Sequence, residues 1–197
     1  MHRILTILAL GLALMAAGEA RAQTTPPDNL RGDFAVLESG SCLYAVGGFN
    51  ANFTPIGTYF VLTETQQAVR TFDGKGGGTE VGYAVDVIGS PYPDVSSVEY
   101  TTAFTYQVAT NGTFTALPSG PVTGTIMTGA QAGQTFTITA INPTAGTGQI
   151  GIDRRDLFLT TSDMPYVEQI SYSDGSTWYR VCSRGRSMHQ ITPPPAS

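Results

Sequence analysis

Residues 98–108 read Val98-Glu99-Tyr100-Thr101-Thr102-Ala103-Phe104-Thr105-Tyr106-Gln107-Val108. Val98, Tyr100, Thr102, Phe104, Tyr106 and Val108 fall on one parity, and Glu99, Thr101, Ala103, Thr105 and Gln107 on the other. A period of two with one aromatic side predicts a strand with one buried face. Asn111-Gly112 follows and supplies the positive φ of a tight hairpin. The same alternation recurs in both directions along the chain. Val81, Tyr83, Val85 and Val87 alternate with Gly82, Ala84 and Asp86, and Phe136 and Ile138 with Thr135, Thr137 and Thr139. Turn residues punctuate these runs at 73–78, 89–94, 118–121, 129–133, 142–148, 162–165 and 174–175. No stretch after residue 22 keeps a helical period. The chain is therefore read as all-β, an antiparallel meander of about eight to ten strands between Phe34 and Cys182.

Composition agrees. The 197 residues are 13% charged, with Lys75 the single lysine, so long solvated helices are excluded. Thr, Val, Tyr, Phe and Ile suit a pleated sheet. The length suits one domain, assigned to residues 32–191.

Residues 1–22 read as a signal peptide: Met1-His2-Arg3, an apolar run from Ile4 to Ala17, then Ala20-Arg21-Ala22. The run is too short for a transmembrane helix, which needs about 20 residues. Residues 23–31 read as a loose arm and 192–197 as a disordered Pro-rich tail. Removing the leader removes Arg3, Arg21 and Glu19. The mature chain then has 8 basic and 14 acidic residues, a net charge of −6. Such a chain does not suit nucleic acid or an anionic membrane. Export implies a soluble periplasmic or extracellular protein.

Cys42 and Cys182 lie near the ends of the folded region, and in an oxidising compartment they are expected to pair. The bridge would bring the first and last strands together, as a closed barrel requires, and closure removes unpaired edges. A β-sandwich is the alternative. Short strands, Thr-rich outer faces and the polar tail argue against an outer-membrane barrel.

Phe72-Asp73-Gly74-Lys75-Gly76-Gly77-Gly78, with the later Phe104-Thr105-Tyr106, Val108 and Asn111-Gly112-Thr113-Phe114, resembles a family of small secreted bacterial proteins of unknown function. That family carries an FDGKG hairpin followed by a GTY-x-V segment. The resemblance covers about residues 56–150 and implies a calycin-like barrel of the lipocalin or allene-oxide-cyclase type. The family often has a cysteine in the next turn, where this chain reads Ala109-Thr110-Asn111-Gly112-Thr113. The resemblance brings no catalytic residues.

Candidate chemistry is sparse. The 74–78 loop lacks the Lys-Ser/Thr and the following helix of a phosphate loop. Asp73 and Glu80 fall short of a calcium set. Asp153-Arg154-Arg155-Asp156 reads as a salt-bridged surface loop. His189, the lone mature histidine, has neither a G-x-S-x-G partner nor enough co-ligands for zinc. In the last strand Trp178, Arg180 and Cys182 share a face. The favoured reading turns that face outward. The other turns it inward, with Arg180 gripping a ligand carboxylate and Trp178 stacking beside it. Arg180, Arg184, Arg186 and His189 form a basic patch with no acid nearby in sequence.

These residues predict a non-enzymatic barrel that holds a small apolar or amphipathic ligand. Its lumen would be lined by Tyr59, Tyr83, Phe104, Tyr106, Phe136, Trp178 and Arg180, with no metal or cofactor. The alternatives are a barrel isomerase or hydrolase using Glu99, Glu168 or Arg180, or a ligand-free structural or interaction protein of the envelope. One ionisable group in a cavity would favour the enzyme, a purely apolar cavity the binder, and no cavity the structural role.

Overall fold

The computed structural model describes residues 30–91, 93–151, 155–160 and 166–192. The expected signal peptide, most of the arm, Asp153, Arg154, the 162–165 turn and nearly all of the tail lie outside the described residues. Among the described residues, eleven antiparallel strands form one sheet. They are β1 (Arg31–Ala45), β2 (Tyr59–Asp73), β3 (Gly77–Ile88), β4 (Asp94–Val108), β5 (Thr113–Pro118) and β6 (Val122–Ile126). After them come β7 (Thr135–Ile141), β8 (Gly146–Ile150), β9 (Asp156–Thr160), β10 (Val167–Tyr172) and β11 (Thr177–Gln190).

β1 pairs with β11 from Phe34↔Gln190 to Ala45↔Tyr179, so the first and last strands close the sheet. Cys42 and Cys182 are direct partners in that register and form the disulfide. Hydrogen bonds run in a ring through eight strands, β1-β2-β3-β4-β5-β8-β9-β11. This excludes the sandwich.

The wall is forked, so the molecule is not evenly barrel-shaped. β4 offers one edge to both β5, along Phe104–Val108, and β6, along Val98–Thr101. β11 likewise pairs with β10 near Thr177–Arg180 and with β9 near Gly185–His189. A second branch, β6-β7-β10, thus bridges the same two long strands. The reason is length. At roughly 3.3 Å per residue a fifteen-residue strand spans about 50 Å, and strands of five to seven residues cover less than half of it. The simple meander expected from sequence is corrected accordingly: β5 skips to β8, β7 to β10 and β9 to β11.

The inward residues form three layers along the axis. One end is an aromatic plug of Phe34, Phe72, Phe104, Tyr106, Phe114 and Leu157, closed below by Leu30 and Met188. Phe72 is its hub, with ring centroids 5.0 Å from Phe34, 5.2 Å from Phe104 and 5.0 Å from Tyr106. The other end holds Tyr44, Phe60, Leu62, Tyr100, Ile126, Phe136, Ile138 and Ile170. Charged residues fill the middle.

Glycines opposite aromatic rings make the wall fit. Gly78 faces Phe104, and a Cβ there would sit 2.5 Å from the Phe104 ring and 2.3 Å from the Thr71 carbonyl. Gly124 stands in the same relation to Phe136. Each ring folds over the bare backbone across from it. The FDGKG turn is an Asx turn: the Asp73 carboxylate accepts from the amides of Lys75 (2.6 Å) and Gly77 (2.9 Å), while Gly74 and Gly76 take positive φ.

Candidate functional site in the charged lumen

A cavity of about 790 Å³ lies above the plug. Its apolar walls come from Tyr44, Phe60, Leu62, Phe136, Ile138, Ile170, Tyr172 and Trp178. Its rim includes the exposed Thr58, Pro93, Ala130 and Gln131, so it opens to solvent at the β2-start, β3–β4 and β6–β7 end. Its floor is ionic.

Alternation builds the floor. On β1, Glu38 has the parity of Phe34 and Val36; on β2, Glu64 and Arg70 have that of Leu62 and Phe72. On β11, Arg180, Arg184 and Arg186 alternate inward with Cys182. Glu80 and Glu168 come in from β3 and β10. Buried charges persist only when paired, and these are. Arg70 Nε donates to Glu80 at 2.6 Å. Arg186 Nη1 reaches the same carboxylate at 3.0 Å, and Arg186 also pairs with Glu38. Arg184 pairs with Glu64 and reaches Glu168 at 3.3 Å. Arg180 Nε donates to Glu168 at 2.6 Å and its Nη1 to the Tyr44 hydroxyl at 3.0 Å. Tyr100 donates to Glu80 at 2.8 Å. Gly40 faces Arg184 and leaves room for its stem.

The network sets its own protonation. Burial alone would raise the Glu80 and Glu168 carboxyls. The guanidiniums of Arg186 and Arg70 around Glu80, and of Arg180 and Arg184 around Glu168, outweigh it and hold both at about 2. Burial, with repulsion from Arg186, brings Arg70 down to about 10, still charged at neutral pH.

Asp86 behaves differently. It lies on the inward face of β3, opposite Glu64 on β2 and Ser96 on β4. Its Oδ1 is buried with no hydrogen-bond partner. Burial, then the Glu64 charge, push its carboxyl up to about 6, against Arg180 and Arg184.

Four expected lumen residues line the cavity: Phe104, Phe136, Trp178 and Arg180. Three do not. Tyr106 is in the plug, its hydroxyl donating to the Leu30 carbonyl at 2.6 Å. Tyr59 and Tyr83 point outward, 55% and 62% exposed. On β3 the inward face is Glu80, Gly82, Ala84 and Asp86, leaving Val81, Tyr83, Val85 and Val87 exposed. Alternation states which residues share a face, but not which face is inside. Here the partners decide: Glu80 must meet Arg70 and Arg186, and bare Gly82 must clear the Tyr100 hydroxyl.

The favoured outward reading of Trp178 and Arg180 is also corrected. Both face the lumen, and Arg180 is spent on Glu168 and Tyr44 rather than held open for a ligand carboxylate. The basic patch does have acids, Glu168 from the preceding strand β10 and the others from strands farther back in the chain. His189 Nδ1, for example, lies 2.6 Å from Asp156 on the surface. Glu168 lines the cavity, whereas Glu99 stands opposite Tyr83 on the outer face and does not. Among the described residues, Cys42, Glu64 and Cys182 are close enough together to suggest a metal site, but both sulfurs are in the disulfide.

Pattern alone placed none of Glu38, Glu64, Arg70, Glu80 and Asp86 in the lumen. The available signal was a charge on the parity of buried aromatics, as in Phe34-Ala35-Val36-Leu37-Glu38. No protein-family model matches this chain, and no curated protein matches it. The resemblance to the FDGKG proteins therefore rests on those turn motifs, and what stands established is an all-antiparallel β protein.

Proposed function

We propose that this chain is an exported binding protein whose lumen holds one small amphipathic molecule. The carrying observation is the division of the cavity: an apolar chamber open at the rim, over a floor whose four arginines are each matched to a glutamate. An apolar body gains by burial in such a chamber at about 25 cal/mol per Å². A floor in which every arginine is ion-paired supports a rigid container better than a reaction centre. The cavity is not purely apolar, and the barrel-enzyme reading draws on its unsatisfied atoms, Asp86 Oδ1, Glu38 Oε1 and Arg70 Nη1.

Native mass spectrometry of the chain purified from its own source tests this. The expected result is a native mass above the denatured mass by one small molecule. An empty chain that also takes up no added apolar probe overturns the reading.

A further inference from the structure

Among the described residues, three lining side chains carry a buried atom with no hydrogen-bond partner: Glu38 Oε1, Arg70 Nη1 and Asp86 Oδ1. Glu38 and Arg70 each have an ion-pair partner through another atom, and Asp86 has none. Buried polar atoms are nearly always hydrogen-bonded, so an orphan carboxylate oxygen calls for a donor. Among the described residues no hydrogen bond or ion pair reaches it. The guanidiniums whose charge acts on it, Arg180 and Arg184, are engaged with Glu64 and Glu168. Charge balance points the same way. The four glutamates of the floor are matched by its four arginines, whereas the lining carboxylates Asp86 and Asp94 are in excess. Asp94 sits on the same inward parity near the rim, two positions before Ser96, the partner of Asp86. The path from rim to chamber is therefore negative, and Tyr44, Phe60 and Trp178 add aromatic faces beyond it.

We propose that the lumen takes an amphipathic cation, an amine with an apolar body, whose ammonium donates to Asp86 while the body lies against Phe60, Ile138, Ile170 and Trp178. This deepens the lumen-binding reading and rests on it. The ammonium supplies the missing donor in a charge-assisted bond, and aromatic faces favour a cation nearby. A ligand carboxylate would find one unsatisfied guanidinium nitrogen in the floor, Arg70 Nη1, down against the Phe104 ring, and it would meet Asp94 and Asp86 on the way.

Burial sets the state of Asp86 first, then Glu64 on β2 and, against them, Arg180 and Arg184 on β11; the Tyr44 and Tyr172 hydroxyls on β1 and β10 lie within the field of Asp86 and stay neutral. With its carboxyl pushed up to about 6, Asp86 is ionised at pH 7.5 and protonated at pH 5. An ammonium stabilises the ionised form, so binding near pH 6 releases a proton.

Trp178 is the single tryptophan and lies in the chamber wall, so its fluorescence reports occupancy. The probes are decylamine, decanol and decanoate, titrated into the full chain at about pH 7.5 and pH 5. Decylamine is expected to bind at least about tenfold more tightly than decanol at the higher pH, with decanoate weakest, and to lose most of that advantage at the lower. The pH comparison needs no variant. Asp86→Asn, confirmed folded by its melting curve, is expected to bring decylamine to the affinity of decanol and leave decanol unchanged. Equal binding of decylamine and decanol, or tightest binding of decanoate, overturns the amine site and leaves the lumen reading standing. Failure of all three probes overturns both.

Discussion

Gly40 on β1 and Arg184 on β11 are direct cross-strand partners, and the space where Gly40 lacks a Cβ is filled by the arginine stem. A Cβ at Gly40 would lie 2.7 Å from Arg184 Cγ and 2.6 Å from the Ser183 carbonyl oxygen. The smallest residue of β1 thus sets the position of the guanidinium that joins Glu64 and Glu168. Gly40→Ala is expected to destabilise the fold by about 1–3 kcal/mol through overpacking, read as a lower urea midpoint at constant slope. A neutral outcome would mean that the Arg184 stem lies elsewhere.

The paired floor makes a prediction about non-additivity. Removing Arg180 alone leaves Glu168 buried without its nearest guanidinium, and Arg180→Met is expected to cost about 3–5 kcal/mol. Adding Glu168→Leu to it removes the stranded charge and is expected to restore part of that loss. Urea unfolding of both singles and the double closes the cycle. Strict additivity would show that the two side chains do not interact.

Stability is expected to peak near pH 5. Glu80 and Glu168 are held at about 2, below their ordinary 4.5, so their stabilisation is complete above 4.5 and is lost as pH falls toward 2. Asp86 is pushed the other way, from 3.8 to about 6, so its contribution is complete below 3.8 and is lost as pH rises through 6. Asp86→Asn is expected to flatten the neutral side of the profile and to stabilise the ligand-free chain at pH 8 by about 1–3 kcal/mol. Melting temperatures from pH 3 to 8, with and without the substitution, give both limbs. A maximum at pH 8 in the parent chain would contradict the raised Asp86.

The disulfide ties β1 to β11 across a sequence separation of 140. Chain entropy assigns such a loop roughly 4–5 kcal/mol, and removed bridges typically cost about 2–5. Replacing both cysteines by alanine is expected to lower stability within that span, measured against the oxidised parent in urea. Unchanged stability would mean that the β1–β11 ladder closes the sheet unaided.

The two faces of β3 predict opposite tolerance. Tyr83→Ser and Val85→Lys on the outer face are expected to shift stability by no more than about 0.5 kcal/mol. Ala84→Lys, on buried Ala84 between them, is expected to unfold the chain or cost several-fold more. Circular dichroism melts of the three variants decide the orientation of the strand.

What the sequence by itself determined is local. The period of two in residues 98–108, the Asp73–Gly78 turn and the Asn111-Gly112 hairpin follow from side-chain geometry within a few residues, and each is present in the structure. So is the Cys42–Cys182 link, since two cysteines allow one intramolecular pairing. The tertiary structure alone decided which parity faces inward, how the wall forks and which charges meet. Swapping the faces of a strand leaves its alternation unchanged, so Tyr83 and Ala84 could not be told apart by pattern. Only the register against Arg70, Arg186 and Tyr100 separates them. Arg186 finds Glu38 across a separation of 148 residues and Arg184 finds Glu64 across 120. Those pairs exist because the sheet closes, and closure is a property of eight strands together rather than of any segment.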